Sequence, residues 1–349
     1  MTEVQVHKKG SILVLALVFL SLAAFLAEQL TKSVTANAMM LKRLIAREHA
    51  QILALGGIQV AMAQLAPRAK TEDDARQIFF EKTFSSINRW QTFELNSKID
   101  RFDSELKICI SCEEGKLNPN LIFDFKKGEF KSPHKEILEK YQLPELRTSL
   151  DKLVGTALKK RKKFLNDLSQ LDVDQKIKVF YEPPEPPRKN RRFEDGKRPL
   201  FLSDIFTLWN TKPTIHPLFL SDSMCALLEL KRPRGGNNER LKESTKQLSM
   251  QIKTDWAQDW LSHWESFIPL FDKKTPSLEQ LKESFSREIE PQVYSVLSLG
   301  RFNGVEQRLL AILVKNPQQA KQNKKEKDEK AAASNENVSA FKIVRLYWI

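Results

Sequence analysis

The sequence predicts an α+β protein. A long N-terminal helix packs on a small antiparallel sheet, and a mostly helical block is inserted within the sheet-forming part. Three observations predict it. No proline occurs from Ser11 to Ala66, where Ala, Leu, Met, Gln, Lys and Arg dominate. Short strand-like runs lie at 91–96 and 105–112, and again at 293–299, 306–314 and 341–349. Between these groups the pattern turns helical, and a helical block between two groups of strands reads as an insertion.

The first element carries a membrane signal. Residues 8–27 read KKGSILVLALVFLSLAAFLA. Ser11 to Ala27 is an uncharged run of seventeen residues, closed by Glu28. That length is at the short edge of a bilayer span. Lys8 and Lys9 stand before the run with no equal cluster beyond it, which places the N-terminus in the cytoplasm and the remainder outside. Two fates are open to such a segment. A secretory signal is cut after its apolar run, and Ser21-Leu22-Ala23 is a candidate site. A cut before the run, between Gly10 and Ser11, leaves it on the mature chain. Continuation of the helical pattern to Ala66 favours the second, because apolar residues extend past the later site.

Residues 11–66 as one helix make a rod roughly 80 Å long. Beyond the membrane part, Met40, Leu41, Leu44, Ile45, Ile52, Leu55, Val60 and Leu65 are expected to form its packing stripe. Lys42, Arg43, Arg47 and Glu48 mark a polar face. Gly56 and Gly57, each costing ~1 kcal/mol in a helix interior, predict a bend or a close contact. A filament-type spine, a coiled-coil stalk and a signal anchor followed by an unrelated helix are the three readings. Sustained heptads, which the stalk needs, are missing.

Residues 71–90 are expected to be helical, with acidic residues in the first turn. In the strand 105–112, Leu106, Ile108 and Ile110 alternate with Lys107, Cys109 and Ser111. Cys109 and Cys112 therefore point to opposite faces, which opposes a redox or metal pair. Glu113 to Asn120 (EEGKLNPN) is turn-forming. Residues 134–175 are expected to be helical, and 181–192 (YEPPEPPRKNRR) to form an exposed loop. A short helix is expected at 200–209, with Ser203 and Asp204 as cap candidates. Helices follow at 238–268 and 276–290. In the former, Trp256, Trp260 and Trp264 recur at i, i+4 and i+8, as in a domain core. The lysine-rich segment 315–339 reads as a disordered loop.

The chain has 349 residues, 41% of them hydrophobic, and a formal net charge of +13. Basic clusters at 159–163, 188–192, 231–234 and 321–330 read as solvated surface. The outward topology takes them away from nucleic acid, leaving acidic lipid or acidic partners open. Three cysteines do not suggest a disulfide framework, and the five histidines lack metal-ligand spacing. No nucleophile elbow, phosphate loop, dinucleotide fingerprint or calcium loop occurs. No catalytic residue and no metal ligand is assigned, and the chain is expected not to be an enzyme.

Four segments together resemble one family, the K-type minor pseudopilins of bacterial type II secretion (general secretion pathway protein K). They are the leader Lys9-Gly10-Ser11-Ile12 and the run that follows, LALGGIQVAMAQL at 53–65, EEGKLNPN at 113–120, and the closing SVLSLGRFNGVEQRLLAILVK with FKIVRLYWI. In the second, Gly56 and Gly57 fall where the family's spine is rich in alanine and glycine. In the third, Glu113, Glu114, Gly115, Lys116, Asn118 and Asn120 match the family's D-E-x-G-K-I-N-x-N turn. The likeness implies a prepilin leader at 1–10, a transmembrane spine helix at 11–66, a pilin-like α+β head from 67–130 and 292–349, and an inserted helical domain at 131–291. It implies cleavage by prepilin peptidase after Gly10. Most pilins carry glutamate at the fifth mature position, where its carboxylate pairs with a neighbour's N-terminal amine; here that position is Leu15. An isolated carboxylate in hydrocarbon is costly without a partner, and leucine there is the mark of a tip subunit in this family.

The family implies calcium held by an acidic D-W-x-D-x-D segment. Here Glu194-Asp195-Gly196 and Asp255-Trp256 stand isolated, and no ligand is carried over. The implied role is structural: a single-pass inner-membrane subunit with a periplasmic head. It would join the other minor pseudopilins, the major pseudopilin and inner-membrane lipid in protein export across the outer membrane. A type IV pilus minor pilin and a signal-anchored periplasmic enzyme or binding protein are the alternatives.

Overall fold

An N-terminal helix, α1 (Val4–Leu65, 62 residues), runs for about 93 Å. The structure, a computed structural model, describes residues 4–66, 86–95, 103–140, 142–143, 148–171, 201–228, 246, 250, 284–286, 290–316 and 340–349. The helix starts before the expected Ser11, since nothing ahead of it but one glycine opposes helix. Within it the hydroxyls of Ser21, Thr31 and Thr35 donate to the carbonyls of Val18, Ala27 and Thr31, each at 2.8 Å. The exposed Lys32–Glu28 pair at 2.6 Å adds a few tenths of a kcal/mol. The helix closes with the Ala66 amide donating to Met62, just before Pro67.

The rest of the architecture makes the protein mixed α+β. Five strands form one antiparallel sheet: β1 (Trp90–Glu94), β2 (Ser104–Cys112), β7 (Val293–Phe302), β8 (Val305–Lys315) and β9 (Phe341–Trp348), in the order β1-β2-β7-β8-β9. Each lies within a residue or a few of its expected place, because alternation and β-branched content were both strong there. A two-residue turn joins β7 to β8. Asn303 and Gly304 have φ of 47° and 80°, the left-handed pair that matches strand twist in a tight hairpin. The centre of the sheet pairs β2 with β7, from Ser104↔Phe302 to Cys112↔Tyr294.

The second half of α1 lies on one face of this sheet, against β2, β7 and β8. The residues it buries are Ala46, Ala50, Ala54, Gly57, Ile58, Ala61 and Leu65. Of the expected stripe, Leu65 is buried and Val60 packs against the core, but the other six positions are corrected. Met40, Leu41, Leu44, Ile45, Ile52 and Leu55 are all exposed. The reason is distance. A Cβ on Gly300 would lie 2.2 Å from the Ala50 carbonyl oxygen, and one on Gly57 would lie 2.1 Å from Ser298 Oγ. Helix and sheet approach so closely that only small side chains fit between them, so size rather than hydropathy chose the packing face. Gly57 is thus a close contact, while Gly56 has open space around it.

Smaller elements follow β2, and their apolar residues join the same core that α1 and the sheet enclose. They are α2 (Pro119–Ile122), the hairpin β3 (Phe123–Asp124) with β4 (Glu129–Phe130), α3 (His134–Lys140), the pair β5 (Gln142–Leu143) with β6 (Thr148–Ser149), and α4 (Leu150–Arg161). The helix expected over 134–175 is therefore broken. The β5–β6 pair interrupts it, and Lys162, in the left-handed region at φ 56°, ends α4. Next come α5 (Leu202–Ile205) and α6 (Asp222–Leu227). Ser203 and Asp204 do not cap α5: its N-cap is Phe201, with no side-chain cap bond. Ser203 is buried within the helix, and Asp204 Oδ2 accepts from the Ser223 amide in the first turn of α6. Expectations for 71–85, 181–192, 317–339, the tryptophan stripe of 238–268 and most of 276–290 fall outside the described residues.

Candidate functional site

Two regions hold the residues singled out from the sequence. The first is the lower half of α1, bare of the head. Gly10 and Ser11 fall within its helical backbone, and Leu15 stands 60% exposed in the apolar run. From Ile12 to Ile45 every large hydrophobic side chain is exposed. This helix is long and apolar enough to cross a membrane.

The second is the segment 113–120, which is buried rather than a surface turn. A 3-10 turn, Glu113–Gly115, follows β2 directly, and Lys116 leads into α2. Glu113 and Lys116 are 4% and 2% exposed, and Lys116 Nζ lies 2.5 Å from Glu113 Oε1. Ser295 of β7 donates to the same oxygen, and Thr207 donates to Oε2. A buried ion pair survives desolvation only with such extra hydrogen bonds. Both carboxylate oxygens already accept, so the arrangement is a clip between strand, turn and covering segment rather than a reactive pair.

The remaining motif residues extend the clip. Glu114 Oε1 accepts from the Gln292 amide at 3.0 Å, and its carbonyl accepts from the His216 amide at 2.7 Å. Gly115 is required by contact: a Cβ there would meet the Phe219 carbonyl oxygen at 2.2 Å. Asn118 caps α2 through the Asn120 amide at 3.0 Å and donates to the Asn210 carbonyl at 2.7 Å. Asn120 exchanges two bonds with the Leu165 backbone, both at 2.8 Å. Backbone bonds from Leu117 to Ile205 and from Thr207 to Leu117 finish the join. The segment therefore ties the sheet to 201–228 and 165 at once. Thr207, Asn210 and Ser295 had no sequence signal, being single polar residues far along the chain from Glu113.

Burial sets the ionisation here. It pushes the Cys112 thiol up, with the Glu114 charge adding to it, and it pushes the Tyr294 hydroxyl up likewise. Cys109, Cys112 and Cys225 are all buried and form no disulfide. Cys112 joins the main core, while Cys109 packs with Leu297 across the sheet.

Beside the clip is a cavity of about 210 Å³, whose lining includes Glu113, Lys116, Trp209, Leu310 and Tyr347. Among the described residues, no group of three or more His, Cys, Asp or Glu side chains converges to hold a metal. Comparison with protein-family models, curated proteins and solved structures gives no match.

Proposed function

We propose that this chain is a structural subunit of a membrane-anchored filament: a minor pseudopilin of type II secretion, placed at the filament tip. One observation carries the reading. A single uninterrupted helix joins an exposed apolar run, preceded in sequence by Lys8-Lys9-Gly10, to an antiparallel sheet seated on an alanine and glycine seam. In a signal-anchored enzyme, a linker would separate anchor from domain. Here the helix that carries the apolar run continues unbroken into the domain's own core, as a pilin-like head requires. The elements from 131 to 291 are then an insertion between β2 and β7. Prepilin peptidase cuts between Gly10 and Ser11, the N-terminus faces the cytoplasm and the head lies in the periplasm. Leu15 offers no carboxylate to a membrane-distal neighbour, which suits the last position of the filament. The bare lower helix packs against other pseudopilins and inner-membrane lipid.

Sequencing the mature N-terminus tests this. It is expected to begin at Ser11; a start after Ala23 or Ala38 would sink the proposal. A minor pilin of a type IV pilus would give the same N-terminus. Deletion separates the two: lost secretion with intact pili favours the secretion system, and lost pili the alternative.

A further inference from the structure

One edge of the sheet is β9. Among the described residues no strand lies beyond β9. Its sequence, FKIVRLYWI at 341–349, exposes Ile343, Val344, Leu346, Trp348 and Ile349 by 37–49% each. A long apolar edge strand of this kind is a template for further pairing. The register says which amides are available. The Ile349 amide donates to Arg308 of β8, and Leu310 faces Tyr347, so the amides of 345, 347 and 349 turn inward. Those of Leu346 and Trp348 turn outward.

We propose that β9 takes up an extended segment of a partner protein by strand addition, and that this segment carries acidic side chains. Two independent features support it. Lys342 and Arg345 are exposed on the strand, and 341–349 contains no acidic residue. Tyr347, Trp348 and Ile349 at the end of β9 line the cavity, and Arg345 shares the face of Tyr347 by alternation, so alternate side chains of an added strand would lie along the same face as the cavity. A second copy is disfavoured: pairing about the strand's centre sets Arg345 against Arg345, and a three-residue shift sets Lys342 against Arg345. Lipid is disfavoured by height. Trp348 pairs with Leu309, which pairs with Ser298, whose Oγ fills the space beside Gly57. Gly57 stands about 45 Å along the helix beyond Ala27, where the apolar run ends.

Strand addition at β9 does not require the filament reading; only the exclusion of lipid uses the position of the apolar run. The test uses the full chain in detergent and a fluorescent nonapeptide of alternating valine and threonine, with glutamate at two positions. Controls are the glutamine version and a version N-methylated on alternate amides. The glutamate peptide is expected to bind about tenfold more tightly than either control. Leu346→Pro removes an outward amide without touching the β8 ladder, and is expected to weaken binding about tenfold while leaving the melting temperature unchanged. Arg345→Glu is expected to reverse the preference toward a lysine peptide. Equal binding of all three peptides, or no binding, overturns the proposal. So does a dimer in sedimentation that Leu346→Pro dissolves, or binding of the head to 3:1 phosphatidylcholine–phosphatidylglycerol vesicles that the same variant abolishes.

Discussion

Gly300→Ala is the smallest change that tests how the head is seated. The added methyl would lie 2.2 Å from the Ala50 carbonyl oxygen, 2.7 Å from the Ala54 amide nitrogen and 2.9 Å from Leu53 Cβ. An ordinary carbon–oxygen contact is about 1 Å longer than the first of these, and two of the three obstacles are backbone, which cannot rotate away. Helix and sheet must therefore part by about 1 Å. Overpacking of this kind costs about 1–3 kcal/mol. A gap of 0.5–1 Å also forfeits a quarter to a half of each dispersion contact across the seam at Ala46, Ala50, Ala54 and Ile58. Together these give about 3 kcal/mol or more, hence a fall of roughly 6–12 °C in melting temperature for a head of this size. Circular dichroism of the full chain in detergent measures it. Gly56→Ala is the control. It lies in the same helix with nothing within 4 Å of its added methyl, and is expected to stabilise by about 0.4–1 kcal/mol. If the two variants melt alike, the close seam does not hold the head.

Two further outcomes concern the covering layer. Glu113→Ala removes the carboxylate that Lys116, Thr207 and Ser295 share, and breaking a buried pair is expected to cost about 3–5 kcal/mol. The double variant Glu113→Leu with Lys116→Met is expected to recover most of that loss in a urea titration. His134 is held below its ordinary pKa by burial, so its neutral form is favoured in the folded state. The unfolded chain then binds the extra proton first. Stability is constant above the ordinary value of about 6.5 and falls as pH drops from there toward the depressed folded value. Melting temperature between pH 7.5 and 5 tests this, and His134→Gln is expected to flatten that part of the curve.

The parts of the fold that were legible from the chain are those with a one-dimensional signal. The apolar run, the absence of proline to residue 66 and the alternation in 105–112 each report a local preference, and α1 and β2 follow from them. The packing face of α1 was not legible. Hydropathy favoured Leu41, Leu44 and Ile52, whereas the sheet demanded small residues because Gly300 and Gly57 bring the backbones together. That constraint joins residues some 250 positions apart. The motif 113–120 was visible as a unit, yet its burial was not. A segment of Glu, Gly, Lys, Asn and Pro has the composition of a surface turn, and only its distant partners Thr207, Asn210 and Ser295 make it an interior clip. The break in 134–175 depended on a two-residue strand pair with almost no pattern to read.

The pairing of β2 with β7 also governs when the molecule can fold. β2 ends at Cys112 and β7 begins at Val293, so the sheet's central ladder joins strands made far apart in time. Contacts of such long range are formed late, because the loop entropy must be lost before the ladder repays it. A chain emerging N-terminus first therefore presents α1, β1 and β2 without the strands that complete their core. Ala50 and Ala54 of α1, fully buried in the finished head, stay uncovered until β7 brings Gly300 against them. In the interval the growing chain is open to competing associations, and the helix stays without the surface that later seats it. The order of synthesis thus sets a waiting period that ends only when the last third of the chain has arrived.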